Sequence, residues 1–266
     1  MAAVVLSVDG ISKTYVAADG TRIAALEGVS LDVREGEFVS VIGPSGCGKS
    51  TLFQIIGGLL GSDGGSVRVD GHPISGSHRD IGMVFQEEST FPWRNVLENV
   101  AFPLELAGMP RAEREQAARG LIRLVGLEGF EKRFPDELSG GMRQRTAIAR
   151  TLAAEPRILL MDEPFASLDE QTRILLGDKI LQIWRQLKQT TLLITHDITE
   201  AVQLSDRVAV MTYRPGRIKR VIEIDLPRPR DSAQIASPEF GRYVGMLWQD
   251  LREEASRGLA DADSMH

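Results

Sequence analysis

Gly43-Pro44-Ser45-Gly46-Cys47-Gly48-Lys49-Ser50 is the stretch whose reading decides the fold. It fits GxxxxGK(S/T) at every defined position, following the apolar run Phe38-Val39-Ser40-Val41-Ile42 and preceding a segment of helical composition from Lys49 to Leu60 that Gly61 closes. Strand, glycine loop and helix in that order form an anion cradle. Glycines let the backbone curl until successive amide N–H groups point inward, and the helix beginning near Gly48 adds the positive end of its dipole. Lys49 is expected to reach the β and γ phosphates of a nucleotide, and the Ser50 hydroxyl, with Thr51 beside it, to serve the Mg²⁺ that accompanies them. A bare glycine turn before a helix would explain the loop alone, but not its agreement with the residues downstream. Cys47 occupies an unconstrained position of the pattern, which argues against a redox role although it lies near a helix start.

Downstream, Ile158-Leu159-Leu160-Met161 reads as a buried strand that delivers Asp162 and Glu163 to its C-terminal end, the edge where parallel sheets bind ligands. Neighbours on a strand point to opposite faces, so the two carboxylates should have different tasks. Asp162 suits Mg²⁺ coordination, either directly or through a bound water, and Glu163 suits polarising a water that attacks the γ phosphate. Leu192-Leu193-Ile194-Thr195-His196 repeats the arrangement, with His196 placed to donate a hydrogen bond to the γ phosphate. A single histidine after a strand also reads as a capping or surface residue.

Composition narrows the classes. The 266 residues are 42% hydrophobic, enough for a large α/β core, so extensive disorder is not expected. Thirty-one Lys and Arg against 37 Asp and Glu leave a net charge of −6, which argues against a protein that holds nucleic acid by neutralising phosphates. One cysteine cannot form an internal disulfide, and MAAVVLSVDG lacks the layout of a signal peptide, so the cytosol is the expected compartment. No run approaches the ~20 apolar residues of a membrane helix.

Organisation follows from the periodicity. Residues 2–34 alternate and are broken by Asp9-Gly10 and Asp19-Gly20, predicting antiparallel strands. A further strand is expected at Val208–Met211. Between Glu87 and Glu155 strand signals vanish and helices are predicted at Val96–Ala107 and Ala112–Val125, the first kinked or broken by Pro103. Pro227-Arg228-Pro229-Arg230 marks a linker, and Phe240, Tyr243, Val244, Leu247 and Leu251 predict a terminal amphipathic helix.

Leu138-Ser139-Gly140-Gly141-Met142-Arg143-Gln144 resembles the LSGGQ signature of ABC transporter ATPases, and it precedes the carboxylate pair as in that family. Ser139 with Gly140 and Gly141 opens a helix expected to continue through Ala154, a second anion site in one chain. The other family elements follow in order: Tyr15 where the adenine-stacking aromatic is found, Gln86 as the Q-loop residue touching the metal, and Ser167-Leu168-Asp169 as the D-loop. Taken singly, Tyr15 could be a core residue and Gln86 a surface amide. Phe91-Pro92-Trp93, Arg214-Pro215-Gly216-Arg217-Ile218 and Leu226-Pro227-Arg228-Pro229-Arg230-Asp231 look like the ATPases of the nitrate, sulfonate, taurine and bicarbonate importers.

The resemblance implies an α/β P-loop NTPase fold with a RecA-like core, an N-terminal antiparallel β-subdomain and an inserted helical signature subdomain. The ATPase domain is expected over residues 1–225, its helical part at about 87–155, with an extension at 226–266. It implies an ATP-hydrolysing importer subunit with ATP and Mg²⁺ as its ligands. The nucleotide would be held by Tyr15, Gly43 through Thr51, the signature and Asp169, with Ser50, Gln86 and Asp162 at the metal and Glu163, His196 and Gln86 in catalysis. Expected partners are a second copy closing head to tail on ATP, a separate permease and, indirectly, a substrate-binding protein, on the cytoplasmic face of the plasma membrane. Phe91 and Trp93 follow the Q-loop, where the family meets its permease, though both rings could equally pack into the local helices. A soluble ABC ATPase that drives assembly is the alternative, and a small-molecule kinase would leave Ser139 to Gln144 without a purpose.

Overall fold

A computed structural model describes residues 2–86, 89–166, 170–228, 230 and 232–264. In chain order the elements are β1 (Val4–Val16), β2 (Arg22–Arg34), β3 (Phe38–Ile42), α1 (Lys49–Ile56), β4 (Gly64–Val69), β5 (His72–Pro73), β6 (Ile81–Val84), α2 (Val96–Leu106), α3 (Arg111–Leu124), α4 (Gly140–Ala153), β7 (Ile158–Asp162), α5 (Glu170–Leu187), β8 (Thr190–Thr195), α6 (Ile198–Leu204), β9 (Arg207–Met211), β10 (Ile218–Glu223) and α7 (Pro238–Ser264). They form two compact units, residues 1–78 with 189–266 and residues 79–188. None of the described helices is long and apolar enough to cross a membrane.

In the first unit β2, β1, β4 and β5 form an antiparallel sheet, as the alternating N-terminal segments predict. Beside it in sequence, β3 pairs in parallel with β8 on one side and β9 on the other, and β10 closes antiparallel on β9. Every residue of β3 and β8 is buried, which is why apolar residues occupy both faces of β3 around Ser40, and Leu192-Leu193-Ile194 run consecutively in β8 between buried threonines, with no polar/apolar alternation. Ser40 is the polar exception in β3, and its hydroxyl meets that of Ser205 at 2.5 Å.

Helix α1 ends four residues before the predicted Leu60. Gly58 adopts φ +72°, and Leu59 N–H and Gly58 N–H donate back to Gln54 and Ile55 carbonyls, a left-handed cap that a residue with a Cβ would resist. A Cβ on Gly58 would also lie 2.0 Å from the Gly76 carbonyl oxygen.

The terminal helix forms as predicted and belongs to the first unit's core. Phe240, Tyr243 and Leu247 lie at helical spacing and pack with Val202, Val208, Val210, Ile222 and Leu226. The segment before it is more than a linker: Arg230 is 3% exposed and its guanidinium donates to the carbonyls of Leu226, Ile224 and Ser205. Burial pushes that guanidinium down to about 10, yet the three carbonyls keep its donors occupied.

The second unit pairs β6 with β7 in parallel and packs α2, α3 and α4 together. Its compact boundary, 79–188, is wider than the predicted helical span because β6, β7 and α5 fall inside it. Helix α2 runs through Pro103 unbroken, with Ala107 N–H donating to the Pro103 carbonyl at 3.0 Å. A full capping box starts it: Asn95 accepts from Glu98 N–H while Glu98 accepts from Asn95 N–H.

Candidate nucleotide site

The phosphate loop takes the conformation that its sequence requires. Gly46 and Gly48 have φ of +75° and +102°, and Gly48 is the N-cap of α1. Lys49, 6% exposed, folds its Nζ back to the carbonyls of Gly43 (2.8 Å) and Pro44 (3.1 Å), so its ammonium lies inside the curl. Close packing explains the other glycines. A Cβ on Gly43 would stand 2.7 Å from Cys47 Sγ, and one on Gly48 would stand 2.7 Å from Leu26 Cδ2 and 2.8 Å from the Ala25 carbonyl oxygen. Ser45 on the loop and Ser50 in the first turn of α1 are exposed. Cys47 is wholly buried, and that burial pushes its thiol up, with Lys49 and Arg214 partly offsetting it, so it is a poor nucleophile.

Strand register brings His196 to this loop's edge. Ile42 pairs with Thr195 and also with Val210, so the residues that follow, Gly43, His196 and Met211, leave the same end of three adjacent strands. The His196 side chain is exposed there. Asp197 caps α6 instead, accepting from Glu200 N–H, while Thr195 Oγ1 accepts from Asp197 N–H. The capping alternative for His196 therefore fails. Tyr15 is 41% exposed and its hydroxyl lies 3.3 Å from Thr51 Oγ1, which places an open aromatic face beside the first turn of α1.

In the second unit the same logic operates at another strand end. Val84 pairs with Met161, so Phe85-Gln86 and Asp162-Glu163 emerge side by side from β6 and β7. Gln86 is exposed and Asp162 is 8% exposed. Glu163 lies beyond the strand with φ +43°, so left-handed backbone rather than strand alternation separates it from Asp162. A non-glycine residue held there carries a strain of order 1–3 kcal/mol, of the kind that concentrates at functional sites.

Ser139 is the N-cap of α4, its hydroxyl accepting from Met142 N–H at 3.3 Å, and Gly140 and Gly141 occupy a first turn that carries no acidic residue. That leaves the dipole end open to an anion. The arginines of this helix anchor carbonyls. Arg145 donates to Val125 and Gly126 at the end of α3, and Arg150 donates to the Ser89 carbonyl at 2.6 Å. Burial pushes both guanidinium groups down.

The two aromatics after the Q-loop separate into different roles. Phe91 packs inward, edge-on to Phe102 (4.8 Å) and under the Arg150 guanidinium (4.6 Å). Trp93 stacks on Phe91 at 5.5 Å but remains 71% exposed. It borders an open groove of about 700 Å³ with Arg94, Leu97, Glu105 and Arg111. Asn99, fully buried, builds this loop by accepting from Phe91 N–H and donating to the carbonyls of Phe91, Arg94 and Asn95. Sequence reading missed Asn99, whose signal was an amide on the apolar face of a helix. It also missed Arg214 as a neighbour of the loop. Ser167, Leu168 and Asp169 lie outside the described residues.

The residues present in each unit suit a magnesium nucleotide: in the first, the Ser50 hydroxyl follows Lys49 in its curl, and in the second, the Gln86 amide and the Asp162 carboxylate follow paired strands, all of them hard oxygen donors.

Comparison with known proteins agrees with this chemistry. The family model described as ABC transporter matches residues 26–166. An uncharacterised ABC transporter ATP-binding protein of Methanocaldococcus jannaschii is 50% identical over 96% of this chain and 94% of its own length. An aliphatic sulfonates import ATP-binding protein of Bacillus cereus is 44% identical over 90% of this chain and 94% of its own. A taurine import ATP-binding protein of Roseobacter denitrificans is 40% identical over 97% and 98%. Among solved structures, a dimeric ATP-binding cassette in a post-hydrolysis state with ADP and Pi is similar at TM-score 0.74 and 34% identity, covering 84% of this chain and 100% of that one.

Proposed function

The chain belongs to the ABC transporter family and is an ATPase of that family, and from this premise we propose that it energises import of a small anion or organosulfonate through a separate permease. The ATPase chemistry is carried by one observation above the others: a phosphate loop whose Lys49 points into its own curl, at a strand edge shared with His196. The import reading is supported by relatives named for sulfonate and taurine import at 40–44% identity. Cargo is not touched by such a subunit, so the substrate class rests on those relatives alone.

In this reading Tyr15 stacks on adenine, and the backbone of the glycine loop with the Lys49 ammonium holds the phosphates. Ser50, Gln86 and Asp162 would hold Mg²⁺, which would neutralise charge developing between the β and γ phosphates. Glu163 accepts a proton from the attacking water, and His196 donates a hydrogen bond to the γ phosphate. The Ser139 helix end and Asp169 serve the nucleotide of a second copy, a closed two-fold arrangement in which each site is completed in trans. Trp93 and its groove receive the permease, which places the protein on the cytoplasmic membrane face, with a substrate-binding protein acting on the other side.

Affinity isolation from membranes tests this. An integral permease should accompany the chain, and turnover per chain should fall on dilution as the pair separates. Isolation without a membrane partner, or constant turnover per chain at every dilution, would overturn it.

A further inference from the structure

The loop between β9 and β10 backs onto the outside of the phosphate loop. Gly216 N–H donates to the Ala25 carbonyl at 2.9 Å and its own carbonyl accepts from Glu27 N–H at 3.0 Å, fixing this turn beside β2. A Cβ on Gly216 would lie 2.2 Å from the Cys47 carbonyl oxygen, so the two backbones touch. From this turn Arg214 reaches across, and its Nη2 donates to the Gly46 carbonyl at 3.2 Å.

The Gly46–Cys47 peptide is thereby oriented. Its carbonyl accepts from Arg214, while its N–H donates to the Pro44 carbonyl at 3.3 Å, the same oxygen to which Lys49 Nζ donates. A peptide plane held at both its oxygen and its N–H is fixed in direction, and with it the carbonyl that positions the Lys49 ammonium.

Tyr213, the residue before Arg214, is in turn held by the C-terminal helix. Glu254, 1% exposed, accepts from Tyr213 N–H at 3.1 Å and is neutralised by Lys219 (3.0 Å) and Arg257 (3.0 Å). The Tyr213 ring lies over Gly258, where a Cβ would stand 2.7 Å from Cε2.

We infer that Arg214 is a positioning residue for the phosphate loop and that α7 reaches the nucleotide site through Tyr213 and Arg214. This deepens the reading of the loop as the nucleotide site and gives the extension after Leu226 a task. Removing the Arg214 donor leaves the peptide held at its N–H alone, which loosens the loop around the Lys49 ammonium and weakens phosphate binding before it affects the chemical step.

Steady-state ATP turnover of the full chain tests it, together with labelling of Cys47 by dithionitrobenzoate without nucleotide; Cys47 is the single cysteine, so the signal has one source. Arg214→Ala should raise KM for ATP about 5- to 10-fold with kcat within about twofold, and label Cys47 faster. Arg214→Lys should fall between, and millimolar guanidinium should restore Arg214→Ala. Gly258→Ala raises helix propensity yet pushes on Tyr213, and should raise KM and labelling in the same direction. Wild-type KM and labelling in Arg214→Ala overturn the positioning role. Wild-type values in Gly258→Ala overturn the part assigned to α7. Failure of the nucleotide reading itself would appear differently, as absence of ATP turnover in the unaltered chain.

Discussion

The hydroxyls of Tyr15 and Thr51 lie 3.3 Å apart, joining residues 36 positions apart in sequence. The contact sets the Tyr15 ring at the start of α1, next to the phosphate loop rather than in the β-sheet core. Tyr15→Ala should raise KM for ATP by about 5- to 150-fold, the equivalent of about 1–3 kcal/mol of stacking, while Tyr15→Phe should stay close to the unaltered chain. Steady-state kinetics with ATP and GTP give a second check, since stacking tolerates either base.

Glu163 and Asp162 differ in backbone as well as in burial, because only Glu163 has positive φ. Glu163→Gln keeps the size and the backbone requirement and loses the base. Turnover should fall about 10²- to 10⁴-fold with ATP still bound, and the ATP-bound pair should persist in size-exclusion chromatography. Near-normal turnover would remove Glu163 from the base role.

Trp93 stacks on Phe91, which itself packs against the Arg150 guanidinium, and most of its ring is open to solvent. Trp93→Ala should change unfolding free energy by no more than about 0.5 kcal/mol, because an exposed ring contributes little to the core. Association with a permease and ATP-driven uptake should be lost. Retained uptake would return Trp93 to ordinary surface.

Leu247 is fully buried in the cluster that joins α7 to β9 and β10. Leu247→Ala should cost about 2–5 kcal/mol in denaturant unfolding. A cost near zero would show that α7 is dispensable to the fold.

Acid should weaken the second unit. Arg94 holds the Glu105 carboxyl below its ordinary range, Arg111 does so for Glu115, and Phe134 N–H followed by Arg133 does so for Glu137. Each folded value lies below the unfolded one, so the stabilisation is present above the ordinary carboxylate range, ~4.3, and is lost as pH falls through the folded values. Glu105→Gln should flatten the acid limb of a pH–unfolding curve, and added salt should flatten it too.

Much of this was legible in the sequence because it depends on local chemistry. Strands buried on both faces need consecutive apolar residues rather than alternation, so the apolar runs within β3, β7 and β8 announced them, and only glycine permits the curl between Gly43 and Gly48. The end of α1 was misplaced although Gly57-Gly58 carried the signal, since a glycine pair reads as tolerable within a helix until its left-handed φ is known. Phe91 and Trp93 could not be separated by sequence, because an aromatic packs or projects according to neighbours such as Arg150, which lies far along the chain.

Residue types and their spacing by themselves determined the fold class, the phosphate loop, the carboxylate pair and the family. Tertiary structure alone decided that His196 shares an edge with Gly43, that Arg230 is enclosed by three carbonyls and that Arg214 supports Gly46 from outside. The reason is distance along the chain: turn chemistry and periodicity act over a few residues, whereas strand register and the partner of a long cation are fixed only when remote segments pack.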